Sequence, residues 1–95
     1  MHELQRIEMA KTNIEIMRAD IDEIDREITL LLEKRLDLAK QIGAIKSKSG
    51  VQILDEKREE KVLEHILDNI RNSSLAPAMM RIYETIMDES KDVQK

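Results

Sequence analysis

The sequence predicts an all-α fold: three helices, one very long and two shorter, forming an intertwined helical homodimer. Composition is the first reason. Of 95 residues only two are Gly, one is Pro and one, Tyr83, is aromatic, whereas 38% are charged and 41% apolar. Sheets want β-branched and aromatic residues broken by frequent turns. A chain rich in Leu, Ile, Met, Glu, Lys and Arg is composed for long helices. Periodicity is the second reason. From Ile14, steps of alternately three and four residues reach Met17, Ile21, Ile24, Ile28, Leu31, Arg35, Leu38, Ile42 and Ile45, which is a heptad seam. Size is the third. As helix, Lys11 to Lys46 would span roughly 54 Å, whereas a compact domain of this length has a radius of gyration of about 12 Å. Two short helices cannot cover a seam that long; a second copy, with its long helix packed on the first, can. The chain has no cysteine, so neither disulfides nor thiolate metal sites supplement the small core.

The first helix is expected from about Glu3 or Lys11 to about Ser47. Its seam extends back through Leu4 and Ile7 with Lys11 as a polar interruption, and no Gly or Pro breaks it before Gly43. Ser47-Lys48-Ser49-Gly50 reads as the loop that ends it, and Val51 to Leu54 as a short apolar connector. Asp55 is the expected N-cap of the second helix, which carries Val62, Leu63, Ile66, Leu67 and Ile70 on one face and stops near Asn72-Ser73-Ser74. Ser74 is the expected cap of the third helix, with Pro77 in its first turn and Met79, Ile82, Tyr83, Ile86 and Met87 on its inner face. Lys91 to Lys95 are expected to fray unless something ties them down. The chain reads as a single domain, 1–95, with 1–16 either a helix extension or the remnant of a linker.

Charge and hydropathy narrow the function. The formal net charge is -4, against the basic balance and stacking aromatics of nucleic-acid binders. No apolar run has the length of a membrane span, and Met1-His2-Glu3-Leu4-Gln5 lacks the start of a signal peptide. The expectation is a soluble cytoplasmic protein without nucleic-acid or membrane partners. His2 and His65 are isolated from other ligand types and read as surface residues, so no metal is expected. No Ser-His-Asp set, Gly-rich phosphate loop or Cys cluster is present.

The informative residues are polar ones set where apolar ones belong. Arg35 interrupts the seam between Leu31 and Leu38. Glu59 lies on the apolar face of the second helix, four residues before Leu63. Ser90 and Gln94 continue the face of Tyr83 and Met87, and Lys46 follows Arg35 by eleven residues, close to three turns, so the two share a face. Each has an ordinary explanation: register setting in a seam, a dipole-matched Lys46 and Glu59 near helix ends, and solvated positions near the chain end for Ser90 and Gln94. Arg35 is less easily dismissed, because a cation facing a core is costly unless paired. Its partner is either an acidic residue of the dimer or an anionic ligand. Arg18 lies about 25 Å from Arg35 along one helix, so the two meet on one small ligand only across a two-fold axis between antiparallel helices.

With these residues in view, the chain resembles the all-α chorismate mutase family from about Met17 to Gln94. The first block, MRADIDEIDREITLLLEKRLDLAKQIGAIK, carries Arg18, Ile24-Asp25, Leu30-Leu31-Leu32, Glu33-Lys34-Arg35, Leu38-Ala39 and Lys46 where that family has an early Arg, an aliphatic-Asp pair, a Leu run, Glu-(Lys/Arg)-Arg, Leu-Ala and a terminal Lys. The second, ILDEKREE, matches its Asp-x-x-Arg-Glu through Asp55, Arg58 and Glu59. The third, MDESKDVQ, places Ser90 and Gln94 at its Ser-x-x-x-Gln/Glu positions. Met1 to Ile16 lies outside the likeness.

The resemblance implies a cofactor-free isomerase of aromatic amino acid biosynthesis that rearranges chorismate to prephenate in a concerted step. It implies catalytic roles for Arg18, Arg35, Lys46, Glu59 and Gln94 and substrate-binding roles for Asp55, Arg58 and Ser90, with Arg18 contributed across the homodimer interface. Two other readings stand beside it: an isochorismate-pyruvate lyase of the same fold, and a non-catalytic helical dimerisation or regulatory module.

Overall fold

The computed structural model describes residues 2–50, 52 and 55–95. It is helical throughout its regular structure, with α1 at His2–Ser49, α2 at Glu56–Asn69, a single 3₁₀ turn at Ser73–Leu75 and α3 at Ala76–Gln94. The chain divides into two units, one ending at Lys34 and the other running from Arg35 to Lys95.

The first unit is the N-terminal part of α1. All of its described side chains but Leu32 are exposed. That includes the heptad seam: Leu4, Ile7, Ile14, Met17, Ile21, Ile24, Ile28 and Leu31 stand between 45% and 65% exposed. An amphipathic helix gains most of its stability from burying its apolar face, and this face is bare within the chain. Thr12 and Thr29 turn their hydroxyls onto the carbonyls of Glu8 and Asp25 one turn back.

The second unit holds the end of α1, α2, the 3₁₀ turn and α3. Its buried residues are Ala39 and Gly43 of α1 and Met87 and Ser90 of α3. Val62, Leu63 and Ile66 of α2 and Met79, Tyr83 and Ile86 of α3 are half-buried. Leu67 and Ile82, expected on inner faces, are 48% and 52% exposed. Leu38, Ile42 and Ile45, the last seam residues, are likewise at 48–66%.

The element ends show local chemistry at work. α1 does not stop at Ser47 as expected but runs to Ser49, whose hydroxyl donates to the Ile45 carbonyl at 2.9 Å. Only at Gly50 does the backbone enter the left-handed region, with φ 74°, which glycine adopts without a Cβ penalty. Of the expected connector, Val51, Ile53 and Leu54 lie outside the described residues. Asp55 caps α2 as expected, accepting from the Arg58 backbone N–H at 3.0 Å. α2 ends at Asn69, earlier than expected, where Ile70 turns extended while its N–H still reaches the Ile66 carbonyl. The capping side chain beyond it is Asn72 rather than Ser74. Asn72 accepts from both the backbone N–H and the hydroxyl of Ser74 and so sets the 3₁₀ turn. α3 then starts at Ala76 with Pro77 in its first turn and no side-chain cap. The end of α3 is tied down: it is helical through Gln94, with Lys91, Val93 and Gln94 half-buried, Lys91 paired to Glu59 and Gln94 bonded to Lys46.

Candidate active site

The second unit contains a cleft of about 300 Å³ with walls from α1, α2 and α3, at the small end of the range for small-molecule sites, roughly 300–1,000 Å³. Ala39, Val62 and Met87 give it an apolar base. The polar groups are set around that base by the helices' own periodicity.

From α1 come Arg35 and Lys46, three turns apart and on one face. Arg35 is fixed by Ser90: its Nη1 donates to the Ser90 hydroxyl at 2.5 Å, and that hydroxyl donates onward to the Ile86 carbonyl at 2.7 Å. Ser90 is only 8% exposed, and both capacities of its hydroxyl are in use, so it serves as an adapter between α3's backbone and the guanidinium. Lys46 Nζ donates to Gln94 Oε1 at 3.4 Å. With its carbonyl oxygen turned to Lys46, the Gln94 amide keeps an N–H₂ pair for a ligand.

This pairing depends on Gly43. A Cβ there would sit 2.5 Å from the Gln94 Cα and 2.6 Å from its carbonyl oxygen, closer than non-bonded atoms approach. The missing side chain lets the last turn of α3 lie directly on α1.

From α2 come Asp55, Arg58 and Glu59. Asp55 caps α2 through its Oδ1. Glu59 lies in the first turn, where the helix dipole favours a carboxylate, and its Oε1 pairs with Lys91 Nζ of α3 at 2.9 Å, each side chain about 30% exposed. That hydrogen bond is the main cause that raises the Lys91 ammonium above its ordinary value, with a smaller contribution from Asp88.

The lining therefore sets four cations, Arg35, Lys46, Arg58 and Lys91, against two carboxylates, Asp55 and Glu59. The lining thus carries an excess of two positive charges in a chain of net charge -4, a local field that favours an anionic ligand. Among the described residues no group of three His, Cys, Asp or Glu could hold a metal ion.

The sequence profile of the family described as Chorismate mutase type II matches residues 17–95. The chain belongs to the chorismate mutase type II family. The "Chorismate mutase" of Methanocaldococcus jannaschii is 30% identical over 80 residues, which is 83% of this chain and 81% of that protein. The "Intracellular chorismate mutase" of Mycolicibacterium smegmatis is 32% identical over 75 residues, 77% of this chain and 72% of that one. The "Bifunctional chorismate mutase/prephenate dehydratase" of Aquifex aeolicus is 49% identical over 51 residues, 54% of this chain, but the match spans only 14% of that longer protein. Among solved structures, a "Conserved hypothetical protein from Pyrococcus furiosus" shares the fold with a TM-score of 0.74 and 40% identity, over 88% of this chain and 97% of that one.

Of the residues singled out for a chorismate mutase site, Arg35, Lys46, Asp55, Arg58, Glu59, Ser90 and Gln94 all line the one cleft. Arg18 is exposed on α1 within the first unit. Sequence reasoning missed Lys91 and Gly43. Lys91 looked like a frayed terminal lysine, and nothing local signals that α3 brings it to Glu59. Gly43 carried a signal that went unused, since a glycine inside a helix costs about 1 kcal/mol against alanine and so calls for a packing reason.

Proposed function

We infer that this chain rearranges chorismate to prephenate, and that the cationic cleft of α1, α2 and α3 performs the chemistry. Chorismate is a compact dianion with a ring hydroxyl and an ether oxygen. In the concerted step the ether C–O bond breaks as a C–C bond forms, with no nucleophile and no proton transfer. The protein's work is to hold the reactive conformer and to stabilise the charge that grows on the ether oxygen.

The observation that carries this reading is the excess of two positive charges in a cleft that also offers a neutral amide donor and a carboxylate acceptor. Arg35, held by Ser90, binds one carboxylate in a charge-assisted pair. Lys46 bridges a carboxylate and the ether oxygen, and Gln94 donates its amide N–H to the same oxygen. Their mutual hydrogen bond supports convergence on one point. Glu59, placed by the Asp55 cap, accepts from the ring hydroxyl, while Arg58 and Ser90 complete the pocket.

Arg18 enters this scheme from a second subunit. The described residues include no side chain under 2% exposed, and Ala39 and Met87 are the buried apolar ones. A bare heptad stripe in a chain with so small a core is covered by a second copy of the chain, whose Arg18 completes the anion site across the two-fold axis. The protein works in the cytoplasm in this reading: among the described residues no helix is long and apolar enough to cross a membrane, and the mycolicibacterial relative is named intracellular.

The test is to add purified protein to chorismate and, separately, to isochorismate, and to identify the products. Prephenate from chorismate is expected. Salicylate and pyruvate from isochorismate, with chorismate untouched, would assign the cleft to the lyase instead. A folded dimer that consumes neither would leave a helical dimerisation module.

A further inference from the structure

Lys91 is the one cation of the cleft that neither helical periodicity nor the family likeness singled out. It follows Ser90 directly on α3, and its ammonium faces two carboxylates: Glu59 at 2.9 Å and Asp88 at 3.4 Å. The two contacts differ in kind. Asp88 is 70% exposed and lies three residues away on the same helix, a surface pair of small worth. Glu59 is 31% exposed and comes from the opposing helix, inside the cleft.

We propose that Lys91 is a positioning residue that holds the Glu59 carboxylate by its Oε1 so that the remaining acceptor capacity of that carboxylate meets the ring hydroxyl of a dianionic substrate. The proposal rests on the mutase reading of the cleft.

A glutamate side chain has three torsions and loses up to about 2 kcal/mol of rotamer freedom when held. In this cleft an unheld Glu59 would be drawn to the other lining cations, Arg35, Lys46 and Arg58, and pairing there would neutralise a group the substrate's carboxylates require. A dianion entering the cleft would also repel a bare carboxylate. Lys91 answers both problems from the α3 side: it occupies one oxygen of Glu59 and offsets its charge. Lysine has three donors and no acceptor, whereas an ionised carboxylate accepts through both oxygens. So Lys91 cannot accept from the hydroxyl in place of Glu59; it acts through Glu59.

The experiment is a double-mutant cycle on chorismate turnover with Lys91→Met, Glu59→Gln and the pair together, and with Lys91→Arg as the conservative rescue. Lys91→Met is expected to lower kcat/KM by about tenfold, the scale of one charge-assisted hydrogen bond. Lys91→Arg is expected to restore most of it, and the double variant to be no slower than Glu59→Gln alone. If Lys91→Met does not fold, Lys91→Gln, with a polar tail, takes its place in the cycle. Additive losses would overturn the proposal, because they would mean that Lys91 acts on the substrate or on packing independently of Glu59. Unchanged turnover in Lys91→Met would overturn it as well. Wild-type protein that leaves chorismate intact would instead refute the mutase reading itself, and the proposal with it.

Discussion

Gly43→Ala adds a single methyl group, and the structure fixes where it goes. The new carbon would lie 2.5 Å from the Gln94 Cα, 2.6 Å from the Gln94 carbonyl oxygen and 2.8 Å from the Gln94 Cβ. These are atoms at the base of the residue and cannot rotate away. Carbon atoms pack at about 3.5–4.0 Å, so the last turn of α3 must retreat by about 1 Å. The Lys46–Gln94 hydrogen bond already stands at 3.4 Å, and a retreat of that size would break it.

Two opposing terms set the effect on stability. Alanine favours the helix over glycine by about 0.8–1 kcal/mol, while overpacking costs about 1–3 kcal/mol. The net loss is about 0–2 kcal/mol, and the protein stays folded. Catalysis has no such offset, because a misplacement of about 1 Å costs up to about 10²-fold in rate. Steady-state chorismate turnover should therefore show kcat reduced by roughly 10- to 100-fold while the circular dichroism melt, at about 4–8 °C per kcal/mol, falls by no more than about 15 °C. A folded Gly43→Ala protein with wild-type kcat would refute the claim that the close approach of α3 to α1 places Gln94.

Other substitutions probe the remaining parts of the cleft. Ser90→Ala removes the acceptor that holds Arg35; a hydrogen bond to a charged group is worth about 1.5–3 kcal/mol, so kcat/KM should fall about tenfold or more, and an unchanged value would mean that Arg35 needs no such support. Gln94→Glu should be active only when the new acid is protonated. With a free glutamic acid near pKa ~4.3, turnover should climb as pH falls, and a flat profile would remove Gln94 from the ether oxygen. The Lys91–Glu59 pair also bears on alkaline stability. Lys91 titrates above the ordinary lysine value of 10.5 when folded, chiefly through its hydrogen bond to Glu59. The pair's contribution is therefore complete below the unfolded value and is lost as pH rises through the folded one. The Tm gap between wild type and Lys91→Met should hold steady from about pH 7 to about 10 and narrow above that; a gap that widened with alkalinity would contradict the pairing.

Some of this was legible in the chain and some was not, for physical reasons. The all-α fold was legible because helical periodicity is a local property, repeated at every turn from Ile14 to Ile45. The bare seam followed from the same arithmetic, since one short chain cannot cover so long a stripe. Arg35 stood out because a cation in an apolar seam violates the pattern around it, and the Asp55 cap could be read from its own neighbourhood. The third helix's start was misread because Asn72, Ser73 and Ser74 all carry capping side chains, and choosing among them takes the backbone geometry. The end of α1 was placed early because Ser47 and Ser49 look like loop residues, although Ser49 satisfies itself within the helix and only Gly50 turns the chain. Lys91 and Gly43 escaped for a different reason. Each matters through a residue from another helix, and no local pattern in α3 or α1 announces the meeting.

In the proposed dimer one active site draws on two chains, with Lys46 in the cleft and Arg18 of the partner subunit. Mixing Arg18→Ala with Lys46→Ala protein, under conditions where labelled subunits are seen to exchange, tests it directly. Each variant alone should be nearly inactive. Random exchange makes half the dimers mixed, and each mixed dimer has one of its two sites intact, so activity should return to about one quarter of the wild-type level for a two-fold symmetric shared site. No recovery after verified exchange would contradict the shared site.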